Sequence, residues 1–348
     1  MEPRAGNVLP KIPLIDCGLA GPAGLAASEP NRLRDIVRHG ARKYPHGILS
    51  IGDRLSEYWL GRNNNPYLEE LYDVAGTSHG LTGIFMLNLS YEWGCTTAFG
   101  PDPEGEGNRM LRTLDWPLDG LGKDVVVARY EGEEGGYDSV TWPGFVGVAT
   151  AMAPGRFSAA INQPPMRKWT QSCWFDWGIN RIKLWREDAL PPVHLLRQVF
   201  DQCQEYEEAK EILSSTPIAT PALFSLSGVE PDQCCLIERT EDEAMIMDGP
   251  RALANHWQYM DIKGRYRGFD SEGRLKMMNA QFRDAANDFS WLIPPILCST
   301  TRIAVVMNAR DGVLKVVGLE SPSSTPGGLA HQATEIYETR AGAKIAAE

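Results

Sequence analysis

The stretch YEWGCTTAFG, residues 91–100, places Cys95 between a glycine and two threonines at the point where the texture of the chain changes. Upstream, NRLRDIVRHGARKY and NPYLEELYDVAGTSHG carry apolar residues at three- and four-residue spacing, the pattern of amphipathic helices, and LTGIFMLNLSYEW continues as an apolar run. Strand signals are sparse there. Downstream, CTTAFG, KDVVVARY, GFVGVATAMA and RFSAAIN read as short strands punctuated by Gly and Pro. Cys95 sits on that boundary, and two readings of it stay open. Free cysteines at apolar strand ends are usually small core residues; the alternative is a nucleophile.

Further along, PVHLLRQVFDQCQEYEEAKEILSS reads as one amphipathic helix, opened near Pro191 and Pro192 and stopped before Pro217, with Leu195, Val199, Ala209, Ile212 and Leu213 on its buried face. CCLIERT and EAMIMD form a strand pair around a polar turn. RIAVVMNA and VLKVVGL form another around Asp311-Gly312, a dipeptide that accepts positive φ at low cost. The aromatic-rich segment RKWTQSCWFDWGINRIKLW concentrates Trp169, Trp174, Trp177 and Trp185; packing against the core is the favoured reading, an apolar wall or lipid contact the other. Helices, two groups of strands and helices between them predict a mixed α+β chain with sheets packed face to face.

Composition narrows the partners. With 348 residues, 43% hydrophobic and 23% charged, the chain can bury a sizeable core. A net charge of −11 argues against nucleic acid, because no basic excess exists to neutralise phosphates. Neither a positively led apolar leader nor a run of about 18 apolar residues occurs, so a cytoplasmic chain without stable membrane insertion is expected. Seven cysteines without CxxC spacing fit reduced thiols, and six scattered histidines offer no zinc-type spacing, so no metal or cofactor is expected.

A thiol attacks an acyl carbon as thiolate, which requires a nearby cation and a base. A Cys/His pair with His194 or His256 is one solution. The other makes Cys95 the first residue of a cut chain, so that its own α-amine, near pKa 7.7 to 8.0, is the base. Gly94 suits such a bond because it lacks a Cβ. Arg112 and Asp115, in RTLDW, supply a cation for the thiolate and a carboxylate for the amine. Residues three apart on an ideal strand face opposite sides, so a bend is expected if both are to reach Cys95.

The ordered set NPYLEELYDVAGTSHGLTGIFMLNLSYEWGCTTAF, RTLDW, GFVGVATAMAPGRFSAAIN, HLLRQVFDQCQEYEEAKEILSSTPIATPALFSLSG and CCLIERTEDEAMIMDGPRALANHW resembles the cysteine-type N-terminal nucleophile hydrolases, in particular the acid ceramidase and N-acylethanolamine acid amidase group. The likeness covers roughly residues 65–318. It implies a four-layer αββα sandwich and self-cleavage between Gly94 and Cys95, dividing the chain into a mainly helical segment 1–94, a catalytic domain 95–320 and a peripheral tail 321–348. It also implies that the two pieces stay associated. The resemblance makes Cys95 the nucleophile, flanked by Arg112 and Asp115. Asn255 and Asn162 become oxyanion partners, and Arg274 a supporting arginine. Taken alone, Asn162 could end a strand, Asn255 could be a turn residue and Arg274 a solvated helix residue. Gln163-Pro164-Pro165 stands where acid ceramidase-like members have Glu-Arg. The implied function is hydrolysis of linear N-acyl amides, with lipid amides such as N-acylethanolamines or ceramides as substrates. An acyltransferase using the same acyl-enzyme and a non-catalytic binding protein are the alternatives.

Overall fold

The computed structural model describes residues 8–43, 46–62, 64–78, 83–89, 93–321 and 327–339. Two sheets face each other. The first runs, in spatial order, Leu14–Gly18, Val126–Gly132, Gly135–Thr141, Thr150–Ala153, Phe157–Asn162, Ala222–Gly228, Cys234–Arg239 and Ala244–Asp248. The second runs Arg251–Leu253, Gly94–Pro101, Asn108–Asp115, Thr301–Asn308 and Val313–Glu320, with His331–Gln332 and Tyr337–Glu338 pairing at its far edge. Between them lies the main core. Phe99, Met110, Leu114 and Val305 of the second sheet and Leu223 of the first belong to one buried apolar cluster. Each strand buried on both faces reads as a continuous apolar run, which is why helix–sheet–sheet–helix layering follows from these sequences.

The helices Pro192–Gln202 and Tyr206–Ser215 cover the first sheet, and Ser271–Gln281 covers the second together with Trp291 and Ile296. The mixed α+β, four-layer αββα class is thus the observed architecture.

Several elements depart from expectation. Residues 191–215 form two helices, because Cys203 and Glu205 are extended and the Gln204 N–H is taken by the Glu208 carboxylate at 2.8 Å. The first helix lies over Val126–Gly132 and Phe157–Asn162, the second over the strands from Ala222 to Asp248, so the break lets each follow the twisting sheet. The N-terminal segment also contributes a strand: Leu14–Gly18 pairs parallel with Val126–Gly132. Of GFVGVATAMA, only Thr150–Ala153 is strand. Within the stretch read as a tail, residues 331–332 and 337–338 extend the second sheet; residues 340–348 lie outside the described residues.

The helices before residue 94 gather around Leu33, Trp59, Leu60, Leu71 and Phe85, packed against Val146 and Leu184 of the body. The helix Cys173–Arg186 corrects the favoured reading of the tryptophans. Trp174 is 85% exposed and Phe175 71%, with Trp177 and Trp169 near half. Leu184 enters a core cluster and Trp185 packs against it, so the core-packing reading holds for Trp185 and not for the exposed Trp174 or the half-exposed Trp169 and Trp177.

Candidate active site

Gly94–Pro101 and Asn108–Asp115 run antiparallel, with Gly94 opposite Asp115, Cys95 opposite Leu114 and Thr97 opposite Arg112. Alternation then puts Cys95, Thr97 and Arg112 on the inner face and Gly94, Thr96 and Asp115 on the outer face. The bend expected between Arg112 and Asp115 is not needed. The cysteine is reached from both faces: its side chain from the inter-sheet layer, its backbone from the side of helix Ser271–Gln281.

On the inner face, Arg112 Nη2 donates to Cys95 Sγ at 3.3 Å and to the Ile161 carbonyl at 2.8 Å. Its Nη1 donates to Asn162 Oδ1 at 2.8 Å and to Thr97 Oγ1 at 3.3 Å, and the Thr97 hydroxyl donates to Asn162 Oδ1 at 2.8 Å. Asn162, the last residue of its strand, spends its amide on the Ala254 carbonyl at 3.0 Å.

On the outer side, Leu253 pairs with Thr97, and the same register continued by two residues brings Asn255 beside Cys95. There the side chain takes over from the ladder: Asn255 Oδ1 accepts the Cys95 N–H at 2.7 Å. Its Nδ2 donates to the Gln163 carbonyl at 2.8 Å. Arg274 arrives from Ser271–Gln281, whose start is capped by Asp270 accepting from Gly273 N. Its guanidinium donates to the Cys95 carbonyl, to Thr96 Oγ1 at 3.0 Å and to Asn255 Oδ1 at 2.9 Å, and lies 3.5 Å from Asp115 Oδ2. Asp115 Oδ1 accepts from Thr301 at 2.8 Å.

Cys95, Arg112, Asp115, Asn162, Asn255 and Arg274 are each at most 1% exposed. Burial pushes the Cys95 thiol up to about 11, with Arg112 and Arg274 pulling down and Asp115 adding to the rise. Burial likewise raises the Asp115 carboxyl although Arg274 and Thr301 oppose it, and lowers Arg112. In the uncut chain Cys95 is therefore a neutral thiol at pH 7, parked on a guanidinium that would stabilise its thiolate.

Backbone shape matters at the bond before Cys95. A Cβ on Gly94 would stand 3.1 Å from Gly268 Cα, and Gly268 itself has φ +69°, where L side chains are strained. Gly268 and Thr97 escaped the sequence reading. Thr97 could have been found from alternation, two residues from Cys95 on the same face; nothing local marks Gly268. The two histidines weighed as bases are elsewhere engaged: His194 Nδ1 meets Asn65 Nδ2 at 2.8 Å, and His256 Nδ1 meets Ser271 Oγ at 2.7 Å. Burial drives His194 down to about 3.

No family model matches the chain. Over 239 residues it is 27% identical to acid ceramidase of Bos taurus, covering 62% of this chain and 57% of that protein. To acid ceramidase of Homo sapiens it is 26% identical over 227 residues, 60% of this chain and 56% of that one. Over about three-fifths of its length the chain is thus similar to acid ceramidases. This acid ceramidase-like chain spans little more than half the length of the curated relatives it matches. Among solved structures, an N-acylethanolamine-hydrolyzing acid amidase ortholog of Caenorhabditis elegans aligns with TM-score 0.46 at 15% identity, over 62% of this chain and 93% of that one. A conjugated bile acid hydrolase from Clostridium perfringens aligns with TM-score 0.39 at 10% identity, over 70% and 96%.

Proposed function

We propose that the chain is a self-cleaving cysteine amidohydrolase that opens the carbon–nitrogen bond of linear N-acyl amides through an acyl-enzyme on Cys95. The observation that carries this reading is the convergence, on one peptide unit, of the Arg112 guanidinium at the Cys95 thiol and the Asn255 carboxamide at the Cys95 nitrogen. The matched relatives are named for ceramide hydrolysis, which supports a lipid amide as substrate.

In the proposed maturation, Cys95 Sγ attacks the Gly94 carbonyl, and the peptide bond gives way to a thioester between Gly94 and the cysteine sulfur. The former amide nitrogen takes the thiol proton and becomes a free amine. Water then cleaves the thioester, leaving a Gly94 carboxylate and restoring the thiol. Asn255 Oδ1, already the acceptor for that nitrogen, keeps the new amine in place, and Arg274 fixes Asn255. In catalysis the amine relays the thiol proton to the departing substrate amine, while Arg112 balances the thiolate. Asn162 and Asn255, freed from Ala254 and Gln163, donate to the tetrahedral oxyanion. The N-terminal piece stays bound after the cut through the Leu14–Gly18 strand, the Glu70–Arg197 ion pair and the Tyr67–Asp201 hydrogen bond at 3.0 Å.

The test is intact mass. Wild type is expected to resolve into residues 1–94 and 95–348, and Cys95→Ala to remain one 38.5 kDa chain. A wild type that stays whole from mild acid to neutral pH under reducing conditions overturns the reading. Amides of graded acyl length then define the acyl group, and a preference for short or aromatic acyl chains removes the lipid assignment.

A further inference from the structure

Trp93, two residues before Cys95, is 1% exposed and shares the main buried cluster with it. Its indole stands edge-on to Trp116, ring centres 5.0 Å apart at 65°, and to Phe145 at 6.3 Å and 76°. Trp142 backs Trp116 at 5.8 Å and donates its own Nε1–H to the Leu121 carbonyl at 2.7 Å. Backbone bonds hold these walls: the Trp116 N–H donates to the Thr300 carbonyl at 2.8 Å, and the Phe145 N–H to the Trp142 carbonyl at 3.1 Å. Trp93 precedes the bond before Cys95, whereas Trp116, Trp142 and Phe145 follow it. The proposed cut therefore separates the walls of this aromatic box from its content.

That division places a subsite. Cys95 Sγ meets the Gly94 carbonyl in maturation and the substrate carbonyl in catalysis. The sulfur, Arg112 and the oxyanion donors serve both reactions, so the group behind the substrate carbonyl lies where the group behind the Gly94 carbonyl lay. Behind Gly94 stands Trp93 in its box. The cut also leaves a carboxylate on Gly94, among polar residues that are each at most 1% exposed. Arg112 and Arg274 are already engaged there with Cys95, Asn162, Asn255 and Asp115. Burying one more charge in such a place is costly, which drives the new chain end outward and the indole with it.

We propose that the box formed by Trp116, Trp142 and Phe145, filled by Trp93 in the uncut chain, is the acyl subsite of the cleaved protein and takes an unbranched apolar chain. Chain length follows from covalent geometry. The start of an acyl chain retraces the backbone from the Gly94 carbonyl to Trp93 Cα, about five atoms. Beyond it, an indole's buried surface of about 200 Å² equals that of about six methylenes. An acyl group of about eleven carbons thus fills the box. The inference rests on the amidohydrolase reading and gives that site its acyl-side contacts.

The experiment measures kcat/KM of the self-cleaved protein on N-acylethanolamines from hexanoyl to hexadecanoyl. Each added methylene is expected to raise it about fourfold up to about eleven carbons, and longer chains to add nothing. Phe145→Ala, with Phe145→Leu as the milder change, enlarges the box, so the levelling-off is expected to move to longer chains by about two carbons or more. Self-cleavage reports that each variant folds. A length profile that both variants leave in place overturns the proposal and spares the hydrolase reading; a cleaved protein that hydrolyses none of the amides overturns both. A readout independent of turnover is calorimetric binding of dodecanoate, the product acid. The cleaved wild type is expected to bind it about tenfold or more tighter than octanoate, and uncut Cys95→Ala, whose box Trp93 fills, to bind neither. Equal binding to cut and uncut protein, or no binding to either, overturns the proposal.

Discussion

The two faces of the Gly94–Pro101 strand use the same materials for different ends. Each gives Cys95 one fully buried arginine and one asparagine: Arg112 with Asn162 within, Arg274 with Asn255 without. Among the described residues the inner pair makes no contact with a carboxylate, and Arg112 donates to a carbonyl, a carboxamide, the Thr97 hydroxyl and the thiol. The outer pair carries Asp115, and its contacts fall on backbone and carboxamide atoms around the Cys95 nitrogen. A buried cation lacking a carboxylate favours ionisation of whatever faces it, and a buried ion pair positions what it touches. On the proposed reading the inner face serves to charge a sulfur and the outer face to hold a nitrogen.

The largest effect expected from breaking this contrast is at Arg112. Arg112→Met removes the thiolate's partner, and self-cleavage followed by mass is predicted to slow by at least about a hundredfold. If Arg112→Met cleaves at the wild-type rate, the division of labour is wrong.

Arg274→Met tests the outer face through stability. Removing one member of a buried pair costs about 3–5 kcal/mol, measured as a loss in denaturant unfolding free energy in the Cys95→Ala background. The pH sense follows from Asp115. Its carboxyl is raised by burial, so the fold binds its proton more tightly than the unfolded chain, and stability falls as pH rises from about 3.8 through the folded value. Without Arg274 that rise is larger, so the variant's deficit is predicted to be greater at pH 7 than at pH 5; a deficit that shrinks with rising pH breaks the assignment.

Gly268→Ala sharpens the comparison by disturbing only the outer side. Its Cβ would stand 2.9 Å from Arg274 Nη2 on a backbone at φ +69°. A cost of about 1–3 kcal/mol is expected, with slower cleavage. The smallest effect belongs to a surface arginine with two carboxylates, Arg310, which meets Glu106 at 3.0 Å and Glu230 at 3.2 Å. Arg310→Gln should change thermal stability by no more than about 0.5 kcal/mol, because solvent screens exposed pairs.

How far the sequence reached depended on chain distance. Cys95, Arg112 and Asp115 were legible together because a short antiparallel pair brings them into register within one hairpin. Asn255 and Arg274, 160 and 179 residues from Cys95, were reachable only through resemblance, since no local pattern ties a turn asparagine or a helical arginine to a distant strand. The helix break at Cys203–Glu205 and the exposure of Trp174 were misread for a related reason: periodicity reports which residues could form a face, and only the neighbouring layer decides which face is covered.

By itself, then, the order of residues determined the alternation that puts a thiol and a guanidinium on one face of a strand pair, the hairpin at Asp311-Gly312 and the alternation of helical and strand texture, all set by short-range sterics and side-chain period. The tertiary structure alone decided that Asn255 and Arg274 would close over the Cys95 nitrogen and that Gly268 would press against Gly94. Those outcomes depend on how two sheets and a helix pack, and packing sums many distant contacts that no window of sequence contains.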